Sequence, residues 1–290
     1  MSTTAIRTAT IESPASNLTQ YTRAFAGLFL RDLYVLRREL FPFVIRVCMN
    51  PLLFLFVFTY IMPHISGGGA GAGMNPTAHM AEATGSNFST ILLPGLMAVA
   101  IMFSGIAAVA LPLAQEFGIT REIDDRVMCP LPVAAVAAEK IVFSAMQSMI
   151  AAAVVFPLAY YVPSTPVVAH VSSWPFLLLV LVLASLTAGA LGLTIGTSVK
   201  PQQIGLIFGV VVMPITFLGC VYYPWAALKP IPYLQYGVLI NPIVYMSEGL
   251  RASLIPGAHM PEPLILGMLC FFLVLLSWLG MRGFLRRVIG

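Results

Sequence analysis

Apolar residues follow one another along this chain in runs too long for a water-soluble core. The longest stretch without a formal charge covers residues 141–199, more than two bilayer crossings at roughly 20 residues each. Six runs, at about 42–63, 89–114, 136–161, 174–198, 203–223 and 263–281, predict transmembrane helices. Ahead of them, residues 1–16 are polar and rich in Thr and Ser, a pattern that predicts a disordered tail and no cleaved signal peptide. Residues 17–40 differ in kind. Phe25, Leu28, Phe29, Leu33 and Leu36 recur at helical spacing, with Arg23, Arg31, Asp32, Arg37 and Arg38 between them. This pattern predicts a helix lying in the membrane interface, or else one packed on a soluble partner. Residues 224–256 hold five prolines among aromatic and aliphatic residues, too broken for one helix. Short re-entrant helices before the last span account for them. The expected fold is therefore all-α: a polytopic membrane protein with six transmembrane helices, an N-terminal interfacial helix and a re-entrant region on the outer side.

Composition agrees and adds a direction. Charged residues make up 9% of the chain, against about 25% in soluble domains. The net charge of +4 would hint at nucleic acid in a soluble protein. Here the cations flank apolar runs and report orientation instead. With the N-terminus inside, six crossings place thirteen of the fifteen Lys and Arg on the cytoplasmic side: Arg7, Arg23, Arg31, Arg37, Arg38, Arg46, Arg121, Arg126, Lys140, Lys200, Arg282, Arg286 and Arg287. Lys229 and Arg251 fall outside, as lone cations that would anchor the outer segment to headgroups or attract an anionic substrate. Both termini are expected in the cytoplasm.

The spans contain little chemistry. Their centres lack Asp, Glu, Lys and Arg; Arg46 and the Glu139-Lys140 pair stand about a turn from an inner end, where long side chains snorkel to headgroups. Ion-coupled carriers keep an ionisable group near the midplane, and membrane transferases need paired acidic clusters. Neither is visible. No GxxxxGK[ST] phosphate loop occurs, and the run GGGAGAG at 67–73 lacks the Lys and hydroxyl that would make it one. That run is better taken as a flexible linker. The four cysteines are scattered and the four histidines are spread over three outer connections, so no metal site or disulfide framework is expected. Ser104, Gln147 and Thr216 are polar groups within spans; most such groups hydrogen-bond between helices, and Gln147 is the leading candidate for a substrate contact. The GxxxG pairs Gly192/Gly196 and Gly205/Gly209 suggest a tight hairpin around Lys200. Tyr223, Tyr236 and Tyr245 belong to an aromatic cluster that forms either an interfacial belt or a stacking surface for a departing substrate.

Residues 115–140 (QEFGITREIDDRVMCPLPVAAVAAEK) combine mixed charge with apolar positions, then Pro130 and Pro132. A plain connector rarely needs so long and patterned a stretch. In this segment Arg121-Glu122, Asp125-Arg126, Pro130-Leu131-Pro132 and Glu139-Lys140 are similar to the inner loop of type-2 ABC exporter permeases. Asn241-Pro242-Ile243-Val244-Tyr245 and Glu248-Gly249-Leu250-Arg251 resemble that family's element before the last span. The chain thus resembles this family over residues 17–290.

The resemblance implies a coupling loop at 115–135 that docks on a soluble ATPase through Glu116, Phe117, Arg121, Glu122, Asp125 and Arg126. Arg31, Arg37 and Arg38 of the interfacial helix would form a second contact. Where the family has a Gly-Thr pair after Arg-Glu, this chain has Asp124-Asp125-Arg126. The resemblance also implies two ATPase subunits that hold ATP and magnesium, and a second permease chain, identical or paralogous. The permease itself would bind no cofactor and catalyse nothing. Its cargo would be an amphiphile (drug-like compound, lipid or glycolipid), with polysaccharide export as the alternative; an ion-coupled carrier or a channel is the reading from another class. An impermeant thiol reagent is expected to label Cys129 only from the cytoplasmic side and a His79→Cys variant only from outside. The opposite pattern would overturn the topology.

Overall fold

The break after the first helix sets the geometry of the rest. In the computed structural model, which describes residues 14–57, 61, 88–120, 132–162, 167, 170–256 and 259–289, α1 (Pro14–Arg38) turns through 73° into α2 (Leu40–Phe56). Glu39 makes the turn with φ −104° and ψ 18°, outside helical geometry. Leu28 and Leu36 of α1 are buried, and Phe29 meets Phe143 edge-on with ring centroids 6.0 Å apart. The apolar stripe of α1 therefore packs on the bundle, while Arg23, Arg31, Arg37 and Arg38 stay exposed. Helix begins at Pro14, so residues 14–16, expected in the tail, are helical; the tail before them lies outside the described residues.

Four further helices are long and apolar: α3 (Phe88–Gln115), α4 (Val133–Tyr161), α5 (Trp174–Ser198) and α9 (Glu262–Ile289). Each exceeds the ~20 residues needed for a crossing. α3 is the axis of the bundle. Residues 90–102 are all buried, as expected for a stretch of helix enclosed on every side. α3 packs most closely against α4 and α5, and α9 lies against the outer side of α5. Single hydrogen bonds stitch these pairs. The Ser144 hydroxyl donates to the Gly105 carbonyl (2.9 Å), and the Thr194 hydroxyl to that of Leu276 (2.9 Å).

The remaining expected spans come out differently. The run at 42–63 is helical as α2 to Phe56, about 26 Å at 1.5 Å per residue; most of residues 58–63 lies outside the described residues. The run at 203–223 forms only α6 (Ile204–Phe217), which contains a π-helical segment at Phe208–Val212. A turn at 218–220 ends it, with Cys220 in the left-handed region (φ 53°). Among the described residues, four helices thus suffice to cross a bilayer alone, and the bent α1–α2 pair makes a fifth candidate. The count of six does not emerge among the described residues, because the turn at 218–220 cuts the fifth run to a helix too short to cross alone.

Beyond α6 come the short helices expected there: Trp225–Leu228, α7 (Pro232–Gly237) and Val238–Ile240. They lead into α8 (Pro242–Leu254), whose thirteen residues are all buried. Asn241 caps α8 through its side chain, accepting from the Ile243 N–H at 3.2 Å. The far end is closed by chain from the α4–α5 connection. The His170 and Ser172 N–H groups donate to the Leu254 and Ser253 carbonyls, each at 2.9 Å, satisfying groups a helix end leaves open.

Glycines set the closest approaches, but not where the paired motifs suggest. Gly192 and Gly196 face the backbone of α3 at Ile106 and Ala110, whereas Gly205 and Gly209 of α6 face open space. The expected hairpin packing is thus replaced by α5 on α3. Gly95 is tighter still, since a side chain there would run into the Val221 carbonyl. Gly95→Ala is expected to cost about 1–3 kcal/mol through overpacking, seen as a lowered melting temperature in detergent, and Gly205→Ala to be neutral within ~0.5 kcal/mol.

Candidate functional site

Where α3 ends and α4 begins, the two helices are tied together by a buried ion pair. Glu116 opens a π-helical turn (Glu116–Thr120) that continues α3. Lys140 is the eighth residue of α4, about 10 Å from its start at 1.5 Å per residue. The Lys140 ammonium donates to Glu116 Oε1 at 2.9 Å, and both residues are about 5% exposed. Lys140 is therefore not snorkelling to headgroups as expected; it is neutralised inside the protein, with Glu139 fully buried beside it. The residue after Glu116 is held from another side. Phe117 meets Phe284 of α9 (6.1 Å) and lies under the Arg287 guanidinium (5.2 Å). Arg287 also donates to the carbonyls of Val199 (2.6 Å) and Gly196 (3.3 Å) at the end of α5, where a cation complements the helix dipole. Three helices thus converge on the root of the loop.

A second buried pair lies toward the start of α3, beside the turn after α6. Glu248 and Arg251, one turn apart on α8, form an ion pair in which both are almost wholly enclosed. Glu248 also accepts from the backbone N–H of Trp225 (3.0 Å) and of Met260 (3.3 Å), and Arg251 donates to the Cys220 carbonyl (3.2 Å). The Trp225 indole N–H reaches the Gln235 carbonyl at 3.1 Å, and Asn241 ties α8 to Ile215 of α6 at 2.6 Å. Arg251 is therefore no headgroup anchor. It bolts α8 to the turn after α6, while Lys229 remains exposed.

Two cavities lie between these ends. One, of about 430 Å³, opens between α1, α2, α3 and α4 and is lined by charged groups, including Arg31, Glu39, Arg46, Glu116 and Lys140, together with Gln147. The other, of about 310 Å³, is apolar and is walled by Val47, Val99, Phe103, Ser104 and Phe208 among others. Of the expected pathway residues, Gln147 and Ser104 therefore line neighbouring cavities. Thr216 is buried and donates to the Val212 carbonyl of its own helix at 2.8 Å. Tyr245 is buried against Phe272, its hydroxyl donating to the Leu239 carbonyl at 3.0 Å. Tyr223 is half-buried and Tyr236 is exposed. Of the expected coupling residues, Arg31, Arg37 and Arg38 are exposed, and Glu116 and Phe117 face inward. Arg121, Glu122, Asp125 and Arg126 lie outside the described residues. Among the described residues no group of three His, Cys, Asp or Glu is placed to hold a metal.

Sequence reasoning missed both ion pairs. The available signal was a charge set deep in an apolar run (Lys140) and an acid–base spacing of three on one helix (Glu248, Arg251), either of which is also compatible with exposure. Lys140→Met or Glu116→Leu alone is expected to destabilise by about 3–5 kcal/mol, since each leaves a buried charge unpaired. The double variant should recover most of the loss, as measured by a double-mutant cycle on detergent-solubilised protein.

Comparison with known proteins bears on what this architecture serves. The profile of the ABC-2 type transporter family matches residues 24–255. The chain is 28% identical over 201 residues to the inner membrane transport permease YadH of Escherichia coli K12, an alignment covering 67% of this chain and 75% of the relative. The YadH proteins of Escherichia coli O157:H7 and Shigella flexneri match to the same extent. With most of its length matched, from α1 through α8, the chain belongs to the ABC-2 type transporter family.

Proposed function

We propose that this chain is the membrane-spanning permease subunit of an exporter in the cytoplasmic membrane, driven by ATP hydrolysis on separate subunits. One observation carries the reading: α3, α5 and α6 hold no Asp, Glu, Lys or Arg, and the enclosed cations Lys140 and Arg251 each sit against a carboxylate. Along those three helices an ion gradient has no charged group to act on. Family membership supplies the alternative source of work, an ABC ATPase. The YadH relatives, named as inner membrane transport permeases, support the location.

In this reading two permease chains face each other above two ATPase subunits, which hold the ATP and magnesium. Both termini lie in the cytoplasm, and the cargo is an amphiphile. Arg121, Glu122, Asp125 and Arg126 form the surface that meets the ATPase, with Arg31, Arg37 and Arg38 beside it. Glu116 and Phe117 serve as the root of that loop. Motion of the loop then passes to α3 and α4 through the Glu116–Lys140 pair and to α9 through Phe117 and Phe284.

Charge reversal at Glu122→Arg with Asp125→Arg is expected to lower ATP-dependent transport at least ~10-fold, the effect of losing one or two charge-assisted contacts. The melting temperature of the permease should be unchanged. Transport at the normal rate by that variant, paired with its ATPase, would overturn the docking assignment.

A further inference from the structure

The two cavities are consecutive compartments. Arg46, Ala107 and Leu111 belong to the walls of both. The order along α3 makes the progression explicit. Gln115, Pro112 and Ala108 face only the charged compartment, Leu111 and Ala107 face both, and Ser104, Phe103, Ala100 and Val99 face only the apolar one. From residue 99 to residue 115 the helix rises about 24 Å at 1.5 Å per residue. One leaflet, taken as half of a ~40–45 Å bilayer, has nearly that depth.

We infer that these compartments seat one amphiphile from the inner leaflet, with a zwitterionic head among the charged groups and its chain in the apolar groove. The charges specify the head. Beside the Lys140–Glu116 pair, whose charges offset each other, two cations (Arg31, Arg46) and two anions (Asp32, Glu39) line the same space. A purely anionic head would meet the carboxylates, and a purely cationic head the guanidinium groups; a head with both signs is complementary to both sets. Arg46 stands at the border, in both walls, where the fork of a guanidinium suits a phosphate. Ser104 marks the other side of that border. It lies three residues beyond Ala107, about 4.5 Å along the helix, and its hydroxyl is buried without a hydrogen-bond partner. That is the depth at which an ester or amide joins head to chain, and its carbonyl would accept from this hydroxyl. Each cavity falls within the ~300–1,000 Å³ of ligand pockets.

The assignment of this occupant as cargo rests on the export reading; the seat itself does not. The test uses the full chain in nanodiscs, without ATPase or nucleotide. Two photoactivatable phosphatidylethanolamine probes are used, one carrying the diazirine on the head and one at the chain end. Saturable labelling is expected, at residues 31–46 and 140–147 for the head probe and at 99–104 and 208 for the chain probe. Unlabelled phosphatidylethanolamine should compete about tenfold better than phosphatidylglycerol, the ratio expected for one mismatched charged contact. Ser104→Trp, which fills the groove, and Arg46→Glu, at an exposed position, should each reduce saturable labelling by a similar factor. Non-saturable labelling spread over lipid-facing residues such as Val274 and Trp278, unchanged in both variants, would overturn the seat. A probe that is seated but not moved when ATPase and Mg-ATP are added would support the seat and count against export.

Discussion

A charge inside a bilayer has to be neutralised within the protein, and that constraint organises this molecule. Among the described residues, the Glu116–Lys140 and Glu248–Arg251 pairs meet it, the first at the end of α3 and the second on α8. Breaking either pair would strand a charge in a medium where Coulomb forces are strong and solvation is poor. Each pair also joins segments that would otherwise be independent. The first joins α3 to α4. The second gathers α8, the turn after α6, the Trp225 helix and the stretch of chain before α9. Between them the helices meet through apolar packing and a few hydroxyl-to-carbonyl bonds.

This arrangement gives a mechanical account of coupling. In the proposed exporter, a push delivered between α3 and α4 reaches both helices together, because the Glu116–Lys140 pair ties them to each other. α3 is the most enclosed of the long helices and packs against both α5 and α8, so its displacement is felt by the two together. The lining of the two inner cavities is drawn largely from the helices so displaced. In the proposed exporter, work done at the cytoplasmic surface therefore reaches the site where an amphiphile would sit without passing through a flexible segment.

Much of the fold was legible in the sequence because apolar length is a strong signal. The runs that became α3, α4, α5 and α9 each exceed a bilayer crossing, and the Arg-studded stripe of residues 17–40 foretold α1. α6 was overestimated, since a run rich in Val, Ile and Gly looks continuous in the sequence, whereas the turn at 218–220 stops the helix at Phe217. The candidate site was harder. Ser104 and Gln147 were visible as polar residues within spans, but their place on adjoining cavities depends on how α2 and α6 pack beside Ser104 and how α1 packs near Gln147. Tyr236 and Tyr245 looked alike in a shared aromatic cluster. One is exposed and the other is sealed within α8 by Phe272, a difference only packing decides. Lys140 and Arg251 were assigned to headgroups for the same reason: pairing partners 24 residues apart, or across a helix turn, leave no unique mark in a sequence.

The central claim is that this bundle converts no energy by itself. It is tested most directly by reconstituting the full chain in sealed vesicles with a fluorescent zwitterionic amphiphile. Uphill movement is then measured first under an imposed proton or sodium gradient, and again after adding the ATPase and Mg-ATP. The account predicts no accumulation in the first condition and accumulation in the second. Accumulation driven by the gradient alone would contradict it.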